Sequence, residues 1–164
     1  MPRPTDLAQL KEEALAEVRD LLTCHRDITP LVFKPGERII REGETSRLVY
    51  VVLEGAYRVE QAAVRVEAGP SVLAAVRCDP GSFTVIGEMA CLGDDIRSAS
   101  VYATEETRVL CLNPDRIETV IGTYPKLTAV LLRQLAARLA EANRRIRELN
   151  DLLHRQLHRR TGQG

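Results

Sequence analysis

The chain has no tryptophan, only two phenylalanines, and aromatic residues at 4% of the total. A surface that stacks successive bases of a single strand needs such rings, so that class of nucleic-acid binder is set aside. Net charge is also missing: 23 basic residues face 23 acidic ones. A protein whose whole surface attracts nucleic acid or anionic membrane carries a large positive excess, so that class goes too. No apolar run approaches 18 residues, and Asp6, Lys11, Glu12 and Glu13 fall within the first twenty. Neither a membrane span nor a secretory signal is expected, which points to a cytoplasmic protein. The four cysteines, Cys24, Cys78, Cys91 and Cys111, never form a CxxC pair. Zinc and iron–sulfur sites ask for closer spacing, so no metal is expected and the thiols read as reduced, small apolar residues.

What is present suits one folded domain. The 164 residues are 45% hydrophobic and 28% charged, the balance of a soluble globular chain long enough for one core. The zero net charge is uneven. Between Arg133 and Arg160 eight arginines oppose Glu141, Glu148 and Asp151, a surplus of +5, which leaves about −5 on the rest.

Three zones follow from periodicity. Over about 5–24, Leu7, Leu10, Ala14, Val18, Leu21 and Leu22 recur at helical steps, with Thr5 or Asp6 as the cap. Over 31–112, short β-branched runs alternate with glycine breaks. The runs are Leu31–Phe33, Arg38–Ile40, Leu48–Leu53, Tyr57–Val59, Ser71–Cys78, Ser100–Tyr102 and Arg108–Leu112. The breaks fall at Gly36, Gly43, Gly55, Gly69, Gly81 and Gly93. Strands of that length and spacing predict an antiparallel barrel or roll. Over 113–160, Asn113-Pro114 opens a short helix to about Gly122, and Pro125 opens a long one. From Leu139 through Ala142, Ile146, Leu149 and Leu153 its apolar residues follow an a/d seam. The first half of that seam is expected to pack as core, and the part beyond Ile146 to form an intermolecular coiled coil. The fold class is therefore mainly β: an antiparallel, jelly-roll-like β-roll with an N-terminal helix and a long C-terminal helix, in one domain over 1–164.

One stretch departs from strand grammar: Gly87-Glu88-Met89-Ala90-Cys91-Leu92, then Arg97-Ser98-Ala99. Gly87 permits close backbone approach, and residues 88–92 can form one helical turn whose free N–H groups face an anion. Arg97 offers a planar cation suited to phosphate, and Ser98 a hydroxyl beside it. A carboxylate at Glu88 repels phosphate but accepts from a ribose hydroxyl. Together they describe a site for a sugar bearing a phosphate. The blander readings are a capped turn at Gly87-Glu88 and an Arg97 ion pair with Asp94 or Asp95. His154 and His158, at i and i+4, have metal-ligand separation but no third ligand nearby and flanking arginines, so a solvated face is expected. No nucleophile or acid–base pair accompanies the stretch, so an enzyme is not expected.

These residues resemble the phosphate-binding cassette of the cyclic nucleotide-binding domain family. Phe33-x-Pro35-Gly36-Glu37-x-Ile39, Glu42-Gly43-Glu44, Leu48-x-Tyr50 and Gly55 are similar to that family's β-roll glycine ladder. The resemblance covers about 6–147. It implies that Glu88 holds the ribose 2′-hydroxyl and Arg97 pairs with the cyclic phosphate. Ser98 and the backbone N–H groups around Met89, Ala90 and Ala99 would add hydrogen bonds. The long helix would act as lid and homodimer interface, with Asn143 near the purine by register. Ser98 inclines the reading to cyclic AMP over cyclic GMP, with no other cofactor and no nucleic acid bound by this chain. The chain departs from the family pattern between Pro80-Gly81 and Gly87, where about two residues are added. Two rivals stand beside a sensor with an unknown effector protein. One is the sensor half of a Crp/Fnr-type transcription regulator cut before its DNA-binding domain. The other is a degenerate domain used only for dimerisation or docking.

Overall fold

The computed structural model describes residues 7–25, 28, 30–62, 70–93 and 95–161. Two compact units divide the chain, residues 1–130 and 131–164. The first opens with α1 (Leu7–Cys24), whose Leu10, Ala14, Val18 and Leu21 are buried at helical spacing. The expected caps Thr5 and Asp6 lie outside the described residues. Among the described residues seven strands follow, all paired antiparallel: β1 (Pro30–Phe33), β2 (Arg38–Ile40), β3 (Val49–Gln61), β4 (Ser71–Cys78), β5 (Thr84–Ile86), β6 (Ser100–Ala103) and β7 (Thr107–Leu112). One helical turn, α2 (Glu88–Leu92), interrupts them between β5 and β6. The expected roll is the observed architecture.

Strand β3 organises it. Its first half pairs with β7 and β5, its second half with β4 and β6. The sequence places a break at Gly55, yet the strand runs through it. Gly55 has φ +110°, and a Cβ there would stand 2.4 Å from Glu106 O and 2.6 Å from Thr107 Cα. The glycine thus lets the strand bend from one set of partners to the other while β7 crosses close beneath it. Beside it, Thr107 is fully buried and its hydroxyl donates to Ala56 O at 2.9 Å. The sequence also leaves β5 unassigned. These three residues pair with Tyr50–Val52 and fill part of the added segment after Gly81. Inside the roll, Ile39, Ile40, Val52, Tyr57, Ile86, Val101, Ala103 and Val109 form one apolar cluster, each large side chain contributing about 1.5–3 kcal/mol by burial.

Helix α3 (Pro114–Thr123) starts as its sequence predicts: Asn113 Oδ1 accepts from Arg116 N at 2.9 Å, with proline in the first turn. Helix α4 (Pro125–Thr161) begins in the first unit. There Glu17 Oε2 of α1 accepts from Leu127 N at 2.7 Å, and Tyr124 OH donates to Asp20 at 3.1 Å. An exposed ion pair joins Lys126 to Glu13. Lys126 holds the Glu13 carboxyl below its usual range.

The second unit is the remainder of α4. Leu132, Leu139, Ile146 and Leu153 recur every seven residues, and all are more than half exposed. Burial along α4 therefore stops short of Leu139, earlier than its periodicity suggests. Glu141 pairs with Arg144 and Arg145, whose hydrogen bonds hold its carboxyl below the usual range.

Candidate cyclic-nucleotide site

The cassette is assembled by non-local pairing. Residues 43–48, which lead into β3, run antiparallel beside 95–97. Gly43 N donates to Arg97 O, Arg97 N to Glu44 O, and Ser46 N to Asp95 O, all at 2.9–3.0 Å. Thr45 and Ile96 form a β-bridge in the same ladder. On the other side, β5 delivers the chain to Gly87, which caps α2 in the left-handed region at φ +81°. A Cβ on Gly87 would lie 2.5 Å from Arg97 Nη1 and 3.1 Å from Leu48 O. Glycine is required twice over, by conformation and by the closeness of Arg97.

Arg97 is only 4% exposed. Its Nη1 donates to Gly87 O at 2.8 Å, and its Nη2 to Leu48 O at 2.5 Å and Ser46 Oγ at 3.1 Å. The Tyr50 ring lies beneath it, 6.0 Å from the centroid, close to the outer limit of a cation–π contact. Burial pushes the Tyr50 phenol up, against the opposing pull of Arg97. The ion pair weighed from sequence is absent at Asp95, which pairs with Arg47 instead at 3.0 Å. Asp94 lies outside the described residues. Every acceptor that these hydrogen bonds give the guanidinium is neutral. A buried cation in such company favours a negatively charged ligand, because charge taken out of water is costly until matched.

Glu88, the first residue of α2, is 2% exposed, and Ala90 and Cys91 are buried with it. Met89 on the same turn is 60% exposed and Leu92 57%. Ser98 is exposed, Ala99 half-buried. The structure thus gathers Gly87, Glu88, Met89, Ala90, Arg97, Ser98 and Ala99 around one turn, with the carboxylate and the guanidinium both sunk into the roll. Asn143 stands exposed on α4 in the second unit.

Several contributors escape sequence reasoning. Ser46 and the Leu48 carbonyl bind Arg97 across 51 and 49 residues of chain, a proximity that only the fold creates. Gln61 Nε2 donates to Ser98 O at 3.3 Å, and Glu42 accepts from Ala62 N at 2.7 Å. The first bond ties the end of β3 to the cassette rim, the second to the segment that follows β2. Among the described residues no group of three His, Cys, Asp or Glu side chains is placed to hold a metal, and no helix is long and apolar enough to cross a membrane. A separate groove of about 360 Å³, lined by Lys11, Leu15, Arg19 and Phe83 among others, shares no residue with the cassette.

Comparison with known proteins agrees with this geometry. The family model "Cyclic nucleotide-binding domain" matches residues 30–124, more than half of the chain and all of the cassette. A CRP-like cAMP-activated global transcriptional regulator of Mycobacterium tuberculosis is 24% identical over 124 residues, spanning 76% of this chain and 53% of that protein. Human cGMP-dependent protein kinase 2 is 30% identical over 127 residues, spanning 76% of this chain and 15% of the kinase. The crystal structure of Thermus thermophilus catabolite activator protein superposes with a TM-score of 0.65 at 27% identity, covering 82% of this chain and 59% of that one. The chain spans about half the length of the mycobacterial regulator and far less of the kinase. From its buried cassette, its roll and the matched residues, the chain belongs to the cyclic nucleotide-binding domain family.

Proposed function

We propose that this chain is a cytoplasmic sensor of a cyclic mononucleotide, cyclic AMP in preference to cyclic GMP, that binds its ligand without transforming it. It acts as one domain over residues 1–164. The observation that carries the reading is Arg97: a buried guanidinium compensated by neutral oxygens, one residue before the exposed hydroxyl of Ser98. The cyclic phosphate meets Arg97, Ser98 and the backbone N–H groups of Met89, Ala90 and Ala99. Glu88, buried beside them, accepts from the ribose 2′-hydroxyl, and Asn143 contributes to the purine. Preference for cyclic AMP draws on Ser98 and on the mycobacterial relative, whose name states cAMP activation.

The signal leaves through α4. Ligand favours a state in which that helix closes over the site, and the change is read by the homodimer or an effector protein. Because the exposed Leu132, Leu139, Ile146 and Leu153 repeat every seven residues, α4 pairs with a second copy of itself. Sedimentation should then give twice 18.3 kDa; a monomer at all concentrations removes the dimer.

Calorimetric titration of cyclic AMP into the wild type and Arg97→Ala tests the core of the reading. Loss of a charge-assisted bond of about 1.5–3 kcal/mol predicts affinity weakened roughly ten- to a hundredfold. Equal affinity in the two proteins contradicts it.

A further inference from the structure

We propose that Arg47 is a positioning residue of the cassette, holding through Asp95 the turn that presents Arg97 to the ligand. The inference rests on the nucleotide-binding reading above and deepens it.

Asp95 is the one non-glycine residue among those described with positive φ, at +61°. An aspartate tolerates that conformation better than most residues but still holds it at a cost, so its surroundings must impose it. Two contacts do so. Ser46 N fixes the Asp95 carbonyl at 2.9 Å, and Arg47 Nε meets its carboxylate at 3.0 Å. The same guanidinium donates through Nη2 to Cys91 O, at the end of α2, at 3.4 Å. Arg47 therefore spans the strand entering β3, the last turn of α2 and the loop that returns to Arg97. Only Ile96 separates Asp95 from Arg97. If Asp95 relaxed to negative φ, the peptide planes leading into Arg97 and Ser98 would rotate, and their donors with them.

The Arg47–Asp95 pair is itself about half exposed, so as a surface ion pair it contributes little to overall stability. Its effect belongs on binding. In calorimetry with 3′,5′-cyclic AMP on the full chain, Arg47→Ala should weaken affinity about three- to tenfold, with the ligand-free melting temperature shifted by no more than about 2 °C. Asp95→Gly, which adopts left-handed φ without strain, should bind as well as the wild type. The double variant should match Asp95→Gly, because the clamp has nothing left to hold. Arg77→Ala, which breaks an exposed ion pair between β4 and Glu105 of the β6–β7 turn, should bind as the wild type does.

Wild-type affinity in Arg47→Ala overturns the clamp, as does a double variant as weak as Arg47→Ala alone, or an equal loss in Arg77→Ala. A wild type that takes up no cyclic nucleotide overturns the underlying reading and the clamp with it.

Discussion

Gly87 and Arg97 constrain each other at atomic range. With a Cβ only 2.5 Å from Arg97 Nη1, Gly87→Ala must either move the guanidinium or push α2 away. The left-handed φ adds about 1–2 kcal/mol of backbone strain. We expect Gly87→Ala to lower stability by about 1–3 kcal/mol and to weaken cyclic AMP at least about tenfold, since it disturbs both the anion-facing turn and the cation. Chemical denaturation and calorimetry check the two parts, and an unaltered affinity would mean that the turn and Arg97 are uncoupled. The identities of both residues were legible in the sequence, because a Gly-Glu followed by Arg-Ser is a specific pattern. The partners of Arg97 were not. Ser46 Oγ and the carbonyls of Leu48 and Gly87 reach it by tertiary approach, and backbone carbonyls carry no signature in residue type.

Among the elements, the junction of α1 with α3 and α4 turns on Tyr124. The ring is 5% exposed and its hydroxyl donates to Asp20. Burial, reinforced by the Asp20 carboxylate, pushes its phenol from 10.0 up to about 12. The fold thus favours the neutral phenol. Its contribution is complete below the unfolded value near 10 and is lost as pH rises through about 12. Tyr124→Phe should be less stable than the wild type by about 1–2 kcal/mol at pH 7–9, and the gap should close between pH 10 and 12. Titration of the Lys126–Glu13 pair is common to both proteins and cancels in the difference. A gap independent of pH up to 12 would assign the whole effect to packing.

Helices α1, α3 and α4 were readable because apolar spacing, and at α3 the Asn113 cap, are local signals. Strand β5 was not: three residues after a turn show no period, and its pairing with Tyr50–Val52 lies more than 30 residues back. Gly55 misled for a related reason. Glycine marks both the end of a strand and a bend within one, and only the passage of Thr107 beneath it distinguishes the two.

At the scale of the molecule, charge and burial divide along the chain. Among the described residues the roll buries one guanidinium and one carboxylate, Arg97 and Glu88, whereas Arg144, Arg145 and Arg147 of α4 stand at the surface with Leu139, Leu149 and Leu153. Composition alone could not separate these, since the opposing surpluses cancel to a net charge of zero. A fold built around a buried cation should gain stability when a matching anion arrives. The central claim is therefore tested most directly by thermal melting of the full chain against cyclic AMP, cyclic GMP and linear 5′-AMP. At a hundred times the dissociation constant, binding adds about 2.7 kcal/mol, so cyclic AMP should raise the melting temperature by about 5 °C or more. The rise should grow with the logarithm of concentration and shrink to about half or less in Arg97→Ala at the same concentrations. A melting temperature that stays level up to millimolar cyclic AMP and cyclic GMP would contradict the account.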